Sequence, residues 1–309
     1  MTTTTSAPSG SVQVSTREVP WMKLGKLVDQ PMTAAEAARL GGLDFTVSKC
    51  PLRYETSGSW KDIPERQAIV RTDTGQWLGI MSKDYPLLQY GEAFDFMDQV
   101  GPKYVAAGAL KGGRQGFMVV RALGVTKVLS GVDPHDMFAV LRTSHDGSRA
   151  VEVSVMPLRQ RCMNQLTLAS FTAGVPDRWA IKHTSTMAAK LADAEASLGK
   201  IGAYTKSFEK NAQRLIEMKI TAGQAEAVIR ASLPDRPKRE DQVKRIVDLL
   251  HTSPQVGFDH TGWGLVNAVS EYFDWERAGG SPESRFIGAL QGQTRGAINR
   301  VTGRLLSRA

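Results

Sequence analysis

Apolar positions alternate along the first half of the chain and recur at helical spacing along the second. Ala68–Thr72 (AIVRT) and Leu78–Met81 (LGIM) flank Asp73-Thr74-Gly75, which predicts a hairpin. Tyr104–Leu110 and Gly116–Ala122 flank Gly112-Gly113 and predict a second. Asp136–Thr143 and Ala150–Val155 are joined by Ser144-His145-Asp146-Gly147 and predict a third, because Asp-Gly supplies the positive φ of a tight turn. Leu43–Val47 (LDFTV) reads as a short strand after a helix over Thr33–Leu40, with Thr33 as N-cap, Glu36 closing a capping box and Gly41-Gly42 ending it. Gly91–Val100 has apolar residues at 93, 94, 96, 97 and 100 and predicts a helix inserted between hairpins.

Beyond Pro157, expected to end the sheet, the period changes. Residues 159–171 carry apolar positions at 162, 163, 166, 168, 169 and 171, which predicts a helix. From Met187 through Leu191, Ala194, Leu198, Ile201, Thr205, Phe208 and Ala212 to Leu215, steps of four and three alternate as in a heptad seam. Such a seam packs inside a bundle or joins two chains. Thr221 caps a helix over Ala222–Ser232, Pro234–Pro237 breaks it, and helices follow over Asp241–His251, Trp263–Trp275 and Ser284–Leu306. The expected class is α+β, with an antiparallel β-meander and inserted helix in the N-terminal half and a helical C-terminal half. Residues 1–18, rich in Thr and Ser, read as a disordered tail, residues 19–180 as an α+β domain, and 181–309 as a helical region packed on it.

Composition narrows the function. The chain is 41% hydrophobic and 23% charged, with no apolar run long enough for a membrane span and no apolar core for a signal peptide near its start. Cys50 and Cys162 are too few for a disulfide framework, so a reducing cytoplasm is the expected setting. His135, His145, His183, His251 and His260 show no ligand spacing, so neither a metal nor another cofactor is expected. Net charge is +8, unevenly placed: Arg285, Arg295, Arg300, Arg304 and Arg308 fall in a segment without acids. That segment is a solvated helix face or a contact for an anionic polymer.

No catalytic constellation emerges. Gly108–Gly116 is glycine-rich and basic but lacks Gly-Lys-Ser/Thr, so it reads as a hairpin loop whose Lys111 and Arg114 are placed to touch a phosphate backbone. Cys162 follows Arg159 and Arg161 closely but lies on an apolar face and without a nearby base, which suits an inert sulfur better than a nucleophile. The acids are scattered. Around the third hairpin, Arg142, Arg149, Arg159, Arg161 and Trp179 combine phosphate-binding groups with a stacking ring, and Asn164 follows closely.

Ordered segments carry a family resemblance. They are Trp21-Met22 before Lys23-Leu24-Gly25, VRTDTG at 70–75, YPLLQ at 85–89 before EAFDF at 92–96, SHDGS at 144–148, RQRCMNQ at 159–165 and WGLVNAVSEYFD at 263–274. Over residues 20–306 the chain resembles the phage/plasmid-like protein family, a domain-of-unknown-function group of actinobacterial phages and plasmids. It departs at 160–166, where Gln160 and Arg161 stand in place of the family's Val-Val/Ile before the cysteine. The resemblance implies a mobile-element protein in the cytoplasm of a bacterial host. Its outline is also similar to phage single-strand annealing proteins, which implies oligomeric rings.

The expected function is therefore non-enzymatic binding of single-stranded DNA by a possible homo-oligomer, in recombination or replication, with no membrane partner. Arg142, Arg149, Arg159, Arg161, Asn164, Trp179, Lys111 and Arg114 are its candidate contacts. The competing expectation is a protein-interaction or regulatory factor that docks through the seam at 187–215 or the aromatic motif at 263–275.

Overall fold

A computed structural model describes residues 24, 26–27, 31–122, 129, 131–161, 163–166, 168, 177–181, 194–277 and 280–307. The tail, Cys162, Met187, Leu191 and Arg308 lie outside the described residues. The fold is α+β, with antiparallel sheets in the N-terminal half and helices in the C-terminal half.

The larger sheet has the order β1 (Lys26–Leu27), β5 (Tyr104–Leu110), β6 (Gln115–Arg121), β7 (His135–Ser144), β8 (Val151–Arg159) and β9 (Arg178–Ile181), every neighbour antiparallel. Its centre is covered on both faces, so every residue of β7 is buried. Met137, Ala139 and Leu141 point into the main core; Phe138 and Val140 point into a second one closed by Phe286 and Leu290. The period-2 pleat explains this division, as alternate side chains leave opposite faces.

The smaller sheet holds β2 (Val47–Thr56), β3 (Ser59–Arg71) and β4 (Trp77–Ser82). Gly79 of β4 rests on the β7–β8 turn, where a Cβ would stand 2.7 Å from Asp146 Cα. β2 and β3 turn at Ser57-Gly58, both at positive φ as a two-residue hairpin requires. β4 pairs only with Arg66–Val70, so residues 52–63 form a two-stranded arm without a third strand. Sequence pattern placed a strand at 43–47 and missed this arm. Its residues lack apolar alternation because they bury almost nothing, and Pro51 and Pro64 argue against a strand except at an edge.

Three described helices stand before β5: α1 (Ala34–Leu40), with the predicted capping box, and the pair α2 (Tyr90–Phe94) and α3 (Met97–Val100) in place of one inserted helix. After the sheet come α4 (Ala194–Glu217), α5 (Ala222–Ser232), α6 (Arg239–Thr252), α7 (Gly262–Glu271) with a π-helical turn over Tyr272–Glu276, α8 (Pro282–Gln291) and α9 (Gln293–Leu306). The described part of the seam is internal: Ile201, Phe208, Ala212 and Leu215 are buried in the main core, and α4 packs on α7. Every residue of α7 is buried too. Much of the described part of both docking surfaces proposed from sequence is thus taken up by the molecule's own core.

Two boundaries differ from expectation. Pro157 does not end the sheet; β8 continues to Arg159, with Met137 opposite Pro157. The Pro157 carbonyl points away from β7 and accepts from Leu166 N at 3.0 Å, so the missing N–H costs no β7 ladder bond. The chain then turns through Gln160-Arg161, and Leu158 bridges Gln165, so no helix begins at Arg159. At the C-terminus, the single helix expected over 284–306 is two. Gly292 sits at φ −100 and ψ −145, and a Cβ there would come within 2.8 Å of Gly288 Cα. Among the described residues, no helix is long and apolar enough to cross a membrane.

Candidate nucleic-acid interface

The break at Gly292 opens a groove. On one side is a cavity of about 1010 Å³, lined by the end of α5, the Pro234–Pro237 bend and the first turn of α9. On the other is a cavity of about 420 Å³ between the first turn of α8 and the loop before β6. Phe273, Gly292 and Gln293 line both, so the two lie side by side. Arg236, Lys238 and Arg300 line the larger cavity, and Lys111, Arg277 and Arg285 the smaller; among the described residues, the only carboxylate in either lining is Glu283. None of these six cations forms an ion pair with a carboxylate among the described residues.

Local sequence explains the placement. Pro234 and Pro237 end α5 and hold Arg236 and Lys238 on a rigid exposed bend. Arg300 lies two turns into α9 and its Nε donates to the Ser232 carbonyl, leaving the rest of the guanidinium toward the groove lining. Arg285 is oriented by its own bonds to the carbonyls of Asp274 (3.1 Å) and Arg277 (3.4 Å). Helix α9 begins without a side-chain cap, and its first residues line both cavities. Uncapped N–H groups at a helix start favour an anion there.

The residues singled out from sequence are dispersed. Lys111 is in the groove, exposed at φ 50. Arg114 stacks on Trp77, its guanidinium carbon 4.6 Å from the ring centroid. Arg142 and Arg149 meet on one atom, Gln291 Oε1, at 2.8 and 2.7 Å. Arg142, however, is buried and ion-paired with Glu152, directly opposite it across the β7–β8 ladder. Its proton affinity is lowered, chiefly by burial, against the pull of Glu152. Arg159 is fully buried: Nε reaches Asp133 at 2.8 and 2.9 Å, and Nη1 donates to the Gln255 carbonyl at 2.7 Å. Asp133 also accepts from the Trp263 indole at 2.7 Å. Arg161 is half-buried beside Gly257. Asn164 is buried, its Oδ1 taken by the Trp275 indole at 2.6 Å. Trp179 lies half-buried on the edge strand β9, under the Lys200 ammonium at 5.2 Å.

Three of the expected contacts are buried. Arg142, Arg159 and Asn164 tie interior elements together instead of facing solvent, because acids and indoles distant in sequence converge on them. The cations that do face a groove include Arg285 and Arg300, noted as part of an acid-free segment, and Arg236, Lys238 and Arg277, which were missed. The signal for Arg236 and Lys238 was their position around a Pro-x-x-Pro bend, where basic side chains are held outward.

A family model matches residues 77–302. The chain belongs to the family described as Domain of unknown function (DUF932). The DUF932 match spans all six groove cations and excludes the arm at 52–63. Among the curated proteins and the solved structures, none matches this chain.

Proposed function

We propose that this DUF932 chain is a non-enzymatic nucleic-acid-binding protein of a phage or plasmid, working in the cytoplasm of its host. It holds single-stranded DNA in the groove at the α8–α9 break, in support of annealing during recombination or replication. The observation that carries this reading is the lining: six cations against one carboxylate, beside an uncapped helix start. Such a surface gains affinity by releasing counterions from phosphates. The concavity argues for a single strand. A volume near 1010 Å³ is at the upper end of the roughly 300–1,000 Å³ typical of small-molecule pockets, which suits a few nucleotides and not a duplex.

The test is fluorescence anisotropy of a labelled single-stranded oligonucleotide at two salt concentrations, with duplex as competitor. Salt-sensitive binding that duplex fails to displace supports the reading. Absence of binding at low salt removes it. A protein-docking reading retains one supporting observation: on the arm, Trp60 is 66% exposed and Tyr54 47%. Exposed aromatics on a ribbon with free edges suit a partner strand. A change of partner binding on replacing Trp60, with DNA binding absent, would favour it.

A further inference from the structure

We infer that His251, Asp259 and His260 form a binding site for a divalent transition-metal ion, zinc by donor type, which clips the end of α6 to the loop leading into α7. The ligand atoms are already gathered. His251 Nδ1 lies 2.7 Å from Asp259 Oδ1, and His260 Nε2 lies 3.3 Å from Asp259 Oδ2. One ligand atom from each residue falls within 4.8 Å of the others, and the two imidazole centroids are 5.2 Å apart. Tetrahedral zinc with bonds of about 2.0–2.1 Å to nitrogen and oxygen places ligand atoms roughly 3.3–3.5 Å apart. Reaching that spacing opens the 2.7 Å His251–Asp259 contact by about 0.6 Å and closes any pair near the 4.8 Å limit by more than about 1 Å, shifts within reach of side-chain rotation at exposed positions.

The loop holds the ligands in place before any ion arrives. Gly257, Phe258 and His260 all adopt positive φ, at 60, 55 and 57. Two of the three are not glycine, and such conformations persist only where surrounding contacts enforce them. The enforcing contacts are visible. The His260 carbonyl accepts from Ile220 N at 2.9 Å, Thr261 bridges Lys219, and Gln255 is tied to Arg159. Asp259 Oδ1 accepts from His260 N at 2.8 Å, which fixes the carboxylate between the imidazoles. The sequence gives no hint of this set, because His251 and His260 are nine positions apart and only the turn after α6 brings them together.

Two imidazoles with one carboxylate select zinc, nickel or copper over magnesium or calcium, which demand mostly oxygen ligands. On binding, His251 gives Nδ1 to the metal and carries its hydrogen on Nε2. Three protein ligands leave one tetrahedral position, which water takes.

The experiment uses the untagged chain, stripped with chelator and dialysed. Zn²⁺ is titrated by calorimetry, with Co²⁺ as optical probe and melting followed in parallel. The expected result is uptake of one ion per chain, a Co²⁺ spectrum of tetrahedral type and a rise in Tm. His251→Ala and His260→Ala, at exposed positions and with unchanged circular dichroism, should each lose all three signals. Asp259→Asn should weaken uptake. Absence of uptake by the parent chain overturns the inference, and so does uptake that both histidine variants retain.

Discussion

At the scale of single residues, the interior is organised by charged groups taken out of water. Arg159 and Asp133 are both fully buried and contact each other, Trp263 and the Gln255 carbonyl. Removing one partner of such a pair strands the other, at a cost of about 3–5 kcal/mol. Arg159→Ala should lower the free energy of unfolding by that amount in urea titrations. A loss below about 1 kcal/mol would mean that the pair contributes little. Asp274 is a different case. It is fully buried, and burial raises its pKa to about 7, against bonds from Gln165 N and Ser270 Oγ that lower it. Between the unfolded value of 3.8 and about 7, the folded state binds more protons than the unfolded one. Stability contributed by this group therefore falls as pH rises through that window. His135, lowered to about 4 by burial, has the opposite slope between about 4 and 6.5 and partly masks it. Asp274→Asn isolates the carboxylate: its advantage over the parent chain should grow from pH 4.5 to pH 7.5. An advantage independent of pH would contradict the raised pKa.

At the scale of elements, the arm and the helix break set opposite expectations. Among the described strands, residues 52–63 pair only with each other, and Trp60 on the arm is 66% exposed. Trp60→Ser should change thermal stability by no more than about 0.5 kcal/mol, as surface changes away from special features do. Phe286, by contrast, closes the second core against Phe117, with ring centroids 5.1 Å apart. Phe286→Ala should cost about 3–5 kcal/mol, and a small effect would mean that α8 is loosely docked. The same contrast explains what could be read from the chain. Hairpins with Asp-Gly turns and the capped helices at Thr33 and Thr221 announce themselves through local chemistry. The arm carries no burial pattern to read. The β8 extension was hidden by a proline whose edge position only the short pairing of β9 explains. The site was legible to the extent that an acid-free arginine segment was visible. Which arginines face solvent was not, since Arg142 and Arg159 are neutralised by residues 10 and 26 positions away.

At the scale of the whole molecule, a net charge of +8 says less than its distribution. Diffuse positive charge attracts DNA weakly from every side, whereas a groove concentrates it. The two cases separate under mutation. Arg236→Ala, Lys238→Ala and Arg300→Ala together remove three charges from the larger cavity. Lys61→Ala, Arg66→Ala and Lys83→Ala remove three from exposed positions in and after the smaller sheet, leaving the groove intact. For a single strand, each lost phosphate contact reduces the slope of log K against log salt by about 0.7. The groove variant should therefore lose about 2 units of slope, while the sheet variant keeps the parent slope. Equal losses in both variants would assign binding to overall charge and leave the groove without a role in it. All six positions are exposed, so both variants should melt near the parent chain, and any difference in slope reports on contact with the strand and not on folding.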